Sequence, residues 1–87
     1  MRYNTAMRIT VRFFAILKDR AGVPEMSLDL PLDATVSVAV AMISERFPAI
    51  KSDLKRTALA LNRSYEKPET ILHDGDELAL IPPVSGG

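Results

Sequence analysis

In the stretch MRITVRFF, residues 7–14, Ile9, Val11 and Phe13 alternate with Arg8, Thr10 and Arg12. A period of two puts one set of side chains on a buried face and the other in water, so a strand is predicted. Residues 15–24 break the alternation with mixed charges and Gly22 and are expected to connect. The pattern returns at Met26, Leu28 and Leu30, with Ser27 and Asp29 between, predicting a second strand in a hairpin with the first. Pro31 interrupts it. Thr35 can then accept a hydrogen bond from a free backbone N–H of the next turn, the role of a helix N-cap. From Val36 the spacing changes: Val36, Ala39, Val40, Ile43 and Phe47 recur every three or four residues, one stripe of an amphipathic helix. Pro48 disfavours helical geometry at the residue before it, so the helix should finish near Phe47.

The following AIKSDLKR reads as a polar connection, and Thr57 to Leu61 as a third strand with Leu59 and Leu61 inward. Asn62 suits a position near positive φ in the turn NRS, after which Ser64, Tyr65 and Glu66 form a short return strand. PETILHDGD is a turn-rich bridge to a last strand, Glu77 to Ile81, with Leu78 and Leu80 inward and Pro82 as its stop. Hairpin, helix and two or three further strands make an α+β pattern, a mixed sheet of four or five strands with one main helix on one face. Placing the first and last strands together in the centre, with the helix as a right-handed crossover, gives a ubiquitin-like β-grasp. The expected organisation is a leader at 1–6, the domain at 7–81 and an extended arm at 82–87.

A length of 87 residues accommodates one core, not two. Eleven Lys and Arg against eleven Asp and Glu leave no net field to favour nucleic acid or an anionic membrane. No apolar run approaches the ~18–20 residues of a membrane span, so a cytoplasmic location is expected. The absence of cysteine removes disulfides, thiolate metal ligands, thiol nucleophiles and a persulfide held on this chain.

Inside the domain the usual constellations of an enzyme are missing. His73 is the sole histidine and stands in a turn beside Asp74, without a second candidate ligand, so no metal site is assigned. Asp74-Gly75-Asp76 lacks the regular ligand spacing of a calcium loop and reads as a turn, with Gly75 at positive φ and the aspartates capping backbone. Thr35, Ser37 and Ser44 have no histidine to activate them, and the four glycines form no phosphate-binding pattern. Two basic clusters, Lys18 with Arg20 and Lys51 with Lys55 and Arg56, read as solvated loops. Phe14 and Ile81 each follow an inward residue and so point to the other sheet face. If their strands are neighbours, the two form a joint apolar patch near the tail, as a docking face would.

The end of the chain is unusual in a different way. From Leu78 to Gly87, LALIPPVSGG carries no charged side chain, unlike an end that is merely solvated. Pro82 and Pro83 lack N–H donors and cannot extend a sheet, and their fixed φ projects the chain outward. The six residues from Pro82 reach up to ~20 Å when extended. Gly86 and Gly87 would let the backbone enter a narrow channel and leave the terminal carboxylate open to attack. A carboxylate becomes a good electrophile only when activated, for instance as an acyl adenylate. That step needs ATP, Mg²⁺ and an enzyme to position them, which this chain cannot supply itself. The chain then acts as substrate, not as a catalyst on its own.

LHDGDELALIPPVSGG at the end and ITVRFFAILKDRAG near the start, with LPLDATV, ERFP and ALN between them in order, resemble the small, sulfur-carrier subunit of molybdopterin synthase. The resemblance covers most of residues 7–87 and implies a β-grasp whose Gly87 is adenylated by an E1-like activating enzyme. Sulfur, originating from a donor protein, then replaces one carboxylate oxygen. The thiocarboxylate enters the large synthase subunit and gives sulfur to a cyclic pyranopterin phosphate. The resemblance also implies a heterotetramer, with Gly86, Ser85, Val84, Pro83 and Pro82 in the inserted arm and Ile81, Phe14 and Lys18 on the partner-facing surface. Lys18 stands where relatives often have arginine; the lysine keeps the charge but lacks the bidentate fork. NRS replaces the more usual Asn-Gly turn. The alternatives are a carrier for thiamine thiazole, which the length and the IPPVSGG ending disfavour, or for tRNA thiolation. A modifier joined to target lysines through Gly87 and a passive interaction domain are the other two.

Overall fold

The computed structural model describes residues 6–83, which form a five-stranded mixed sheet. Strand β1 (Ala6–Phe13) pairs antiparallel with β2 (Glu25–Pro31), Ile9 standing opposite Leu28 and Val11 opposite Met26. On its other side β1 runs parallel to the last strand, β5 (Glu77–Ile81), with Val11 opposite Leu78 and Phe13 opposite Leu80. Strand β5 in turn pairs antiparallel with β3 (Ala58–Leu61), which turns back into the two-residue β4 (Ser64–Tyr65). The order β2-β1-β5-β3-β4 puts the first and last strands next to each other inside the sheet, the β-grasp arrangement.

The inward residues of the expected alternation are the core. Ile9, Val11, Phe13, Leu28, Leu30, Leu78 and Leu80 are buried together with Val36, Ala39 and Ile43 from helix α2 (Val36–Arg46). Thr35 caps that helix, its Oγ1 accepting a hydrogen bond from the Val38 N–H at 3.3 Å. Phe47 closes the other end, packing edge-on against Phe13 with ring centroids 5.4 Å apart. The turn after β3 has positive φ at both Asn62 and Arg63, 50° and 73°. Two left-handed residues make the tight hairpin turn that matches strand twist, which is how NRS does the work of an Asn-Gly pair. At the DGD bridge Gly75 has φ of 86°, the Asp74 Oδ1 accepts from the Arg8 N–H, and the Asp76 Oδ2 accepts from the His73 N–H. The aspartates there hold backbone.

Two expectations of irregular connection are corrected. Residues after Phe14 form helix α1 (Ala15–Ala21), not a loop, ending at Gly22 with φ of 83° and its N–H bonded to the Lys18 carbonyl. Its single fully buried side chain is Leu17. A helix of under two turns needs only one anchor, so no periodic stripe is there to be read. AIKSDLKR is likewise helical: a 3₁₀ turn at Pro48–Ile50 continues into α3 (Lys51–Leu54). Ile50 and Leu54, four residues apart, are both buried, which is the one apolar pair in that polar string. Strand β3 also departs in detail: Ala60 is buried along with Leu61, whereas Leu59 is only partly covered.

Arg8 and Asp29 form a cross-strand ion pair of 2.8 Å on the exposed face. The hydrogen bond and charge of Arg8 hold the Asp29 carboxyl below its ordinary pKa. A depressed carboxylate contributes stability above its unfolded pKa and loses it as pH falls through the folded value. Both side chains are solvated, so the contribution is small. Titration of Asp29 followed by carboxyl NMR should show a midpoint below that of a free aspartate; a midpoint at or above it would contradict the pair. For the core, Leu80→Ala should cost about 2–5 kcal/mol and Thr35→Ala about 1 kcal/mol in urea unfolding.

Candidate functional site

Because β1 and β5 are parallel, both leave the sheet at the same edge, and that edge is where the predicted patch and the arm meet. Phe14 follows β1; Ile81, Pro82 and Pro83 end β5 and begin the arm. Ala58 of β3 lies opposite Ile81, so α3 and the Arg56-Thr57 segment return to this edge as well. Phe14 and Ile81 are both half-buried and form the shared wall of two hollows.

The smaller hollow, about 310 Å³, opens on the sheet face, where Ala60 and Ala79 give a shallow floor and Arg12, Arg63, Tyr65 and Glu77 a polar rim. Small residues on the two adjacent strands leave the neighbouring rings uncovered, and Tyr65 is 73% exposed. The Arg12 guanidinium lies 5.2 Å from the Phe14 ring centroid and 3.6 Å from the Glu77 carboxylate. Those contacts hold Phe14 upright between the hollows.

The larger, about 660 Å³, lies between α1, α3 and the root of the arm. Ile16, Ile81, Pro82 and Pro83 give it apolar walls, and Arg20, Asp53 and Arg56 supply charge. Arg20 Nη1 donates to Asp53 Oδ2 at 2.7 Å, tying α1 to α3. Asp53 is held from the other side, its carbonyl accepting the Thr57 hydroxyl at 2.8 Å. Ala15, where α1 leaves β1, has φ of 53°. An L-residue in the left-handed region stores about 1–2 kcal/mol, and here it turns the chain sharply enough to lay α1 beside the arm.

The structure therefore brings Phe14, Ile81, Pro82 and Pro83 together as the sequence suggested. It does not bring Lys18 to them: Lys18 is exposed on α1 and lines neither hollow. Arg20, from the same cluster, does line the larger one, as does Arg56 from the other. Tyr65, Arg20 and Arg56 are the surface residues that sequence reasoning passed over, having read the arginines as two unrelated solvated groups. Val84, Ser85, Gly86 and Gly87 lie outside the described residues. Among the described residues no cluster of His, Asp or Glu could hold a metal ion, and no helix is long and apolar enough to cross a membrane.

A central parallel strand pair, one long helix on one face and an apolar edge at the root of a C-terminal segment define a ubiquitin-like β-grasp protein. The ThiS family model matches residues 11–87, and the chain belongs to that family. Its curated relatives carry the name molybdopterin synthase sulfur carrier subunit: the one from Chlamydomonas reinhardtii is 41% identical over 83 residues, 93% of this chain and all of that protein. Among solved structures, the small archaeal modifier protein 1 of Haloferax volcanii is 28% identical with a TM-score of 0.84, covering 90% of this chain and 99% of that one. Subunit 1 of the Helicobacter pylori molybdopterin-converting factor, in a complex with subunit 2, is 32% identical with a TM-score of 0.66, covering 93% and 100%.

Ala15→Gly should raise stability by about 0.5–1 kcal/mol, since relief of the left-handed strain exceeds glycine's extra entropy cost in the unfolded chain. Urea unfolding of that variant checks the strained turn; a loss of stability would refute it. Tyr65→Ser should stay within about 0.5 kcal/mol of the parent in the same urea unfolding, as expected for a side chain 73% exposed.

Proposed function

We propose that the chain is a sulfur carrier for molybdopterin synthesis, acting as the small subunit of the synthase. The observation that supports this most strongly is the full-length match to relatives bearing that name, in a chain whose last strand delivers Pro82 and Pro83 to an apolar edge. In this reading the Gly87 carboxylate attacks the α-phosphorus of ATP on an activating enzyme, releasing pyrophosphate and leaving an acyl adenylate. A sulfide equivalent from a donor protein adds to the acyl carbon and AMP departs, giving the thiocarboxylate. ATP and Mg²⁺ belong to the activating enzyme; this chain binds no cofactor. In the large subunit of the synthase the thiocarboxylate sulfur forms a C–S bond to an oxygen-bearing side-chain carbon of the cyclic pyranopterin phosphate as the C–O bond at that carbon breaks and its oxygen leaves. Water then cleaves the acyl–sulfur bond, leaving the sulfur on the pterin and returning the Gly87 carboxylate.

The domain's own part is to present the arm. Phe14, Tyr65 and Ile81 offer apolar area to the partner, and Pro82 and Pro83 stiffen the exit so that little conformational entropy is lost when Val84, Ser85 and Gly86 enter the partner's channel. Sulfur can reside only at Gly87, since there is no cysteine. The complex of the Helicobacter pylori subunits supports a large-subunit partner of the same kind. The likeness to small archaeal modifier protein 1 favours a second reading, conjugation of Gly87 to lysine amines of other proteins.

Intact mass spectrometry after incubation with activating enzyme, ATP and a sulfur donor should show exchange of one oxygen for sulfur, lost on deletion of Gly87. The same gain without Gly87 would sink the sulfur-carrier reading. Isopeptide adducts in cells lacking the large subunit would instead support the modifier.

A further inference from the structure

The groove between α1, α3 and the arm has a charge pattern that the apolar docking surface does not explain. Arg20 and Arg56 both line it, and Asp53 is the one carboxylate among the lining residues. Asp53 accepts from one guanidinium nitrogen of Arg20. A guanidinium has five N–H donors in a fixed fork, so most of the Arg20 donors remain for another acceptor. Arg56 is exposed and takes part in no ion pair among the described residues. The groove thus carries one positive charge in excess above the apolar side chains of Ile16, Ile81 and Pro82.

Each class of occupant meets that arrangement differently. A purely apolar segment would strip water from two guanidinium groups without replacing their hydrogen bonds, which costs several kcal/mol. A basic segment would meet the excess positive charge at short range. A carboxylate set beside an apolar side chain satisfies both halves of the groove. Its two oxygens can take the Arg56 fork while the apolar neighbour covers Ile16 and Pro82.

We propose that this groove receives a segment of the synthase large subunit in which an Asp or Glu lies next to an apolar residue, its carboxylate held by Arg56 with help from Arg20. The proposal rests on the sulfur-carrier reading above and adds a second, polar contact to it. The groove is continuous with the arm through Ile81, Pro82 and Pro83, so a partner that surrounds the arm reaches it without a separate docking event. The large subunit is the partner assigned because the similar Helicobacter pylori chain was solved in complex with subunit 2 of its converting factor, a partner of that kind.

Titration calorimetry of the full chain against the large subunit tests this with Arg56→Glu and Arg56→Gln, both at an exposed position where the fold should tolerate them. Arg56→Glu is expected to weaken binding by about tenfold or more and Arg56→Gln by a smaller factor, with the difference between them shrinking as salt is raised. Unchanged thermal midpoints and unchanged sulfur loading by the activating enzyme are expected for both variants. Binding of Arg56→Glu within about twofold of the parent overturns the proposal while leaving the sulfur-carrier reading intact. Impaired loading with normal large-subunit binding overturns it in favour of the activating enzyme. Failure of the parent chain to bind the large subunit at all sinks both.

Discussion

The parallel pairing of β1 with β5 is the constraint on which the rest of the structure depends. It joins the first and last strands of the domain through Val11–Leu78 and Phe13–Leu80, four side chains that are all buried. A parallel pair cannot be closed by a tight turn, so a long crossover is obligatory, and α2 lies within it. Parallel strands also end on the same side. The residue after β1 and the residues after β5 are therefore neighbours in space although they are nearly seventy positions apart in the chain, and the edge that carries the two hollows exists for that reason.

Polarity is divided between interior and edge. No polar or charged residue is buried among the described residues, and no buried side-chain donor or acceptor lacks a partner. The interior therefore offers no desolvated acid, base or nucleophile of the kind that active sites employ. The charged side chains lie at the surface, and six of them, Arg12, Arg20, Asp53, Arg56, Arg63 and Glu77, line the two hollows flanking Phe14 and Ile81. A protein built this way fits the proposed presentation of the Gly87 carboxylate to another protein's catalytic groups. The strained Ala15 and the Arg20–Asp53 pair serve the same end, fixing α1 and α3 around the place where the arm departs.

Most of the strand framework could be read along the chain because period-two burial is a local property. Ile9, Val11 and Phe13 face inward for the same reason that Leu78 and Leu80 do, and Thr35 caps α2 through a bond to a residue three positions on. The positive φ at Asn62 and Gly75 was legible from residue type alone. Helices α1 and α3 were not, since each is anchored by only one or two apolar side chains, too few to generate a period. Lys18 is exposed on α1, apart from the groove that Arg20, two residues later, does line.

The sequence by itself determined the strand faces, the main helix, the family and the uncharged Gly-Gly end, because alternation, capping and residue chemistry are written in neighbouring positions. Tertiary structure alone decided which distant side chains share a surface. Arg20 and Arg56 belong to one groove, and Tyr65 joins Phe14 and Ile81 beside another, only because β1, β5 and β3 are hydrogen-bonded side by side. Long-range pairing is set by the packing of the whole core, and no local pattern encodes it.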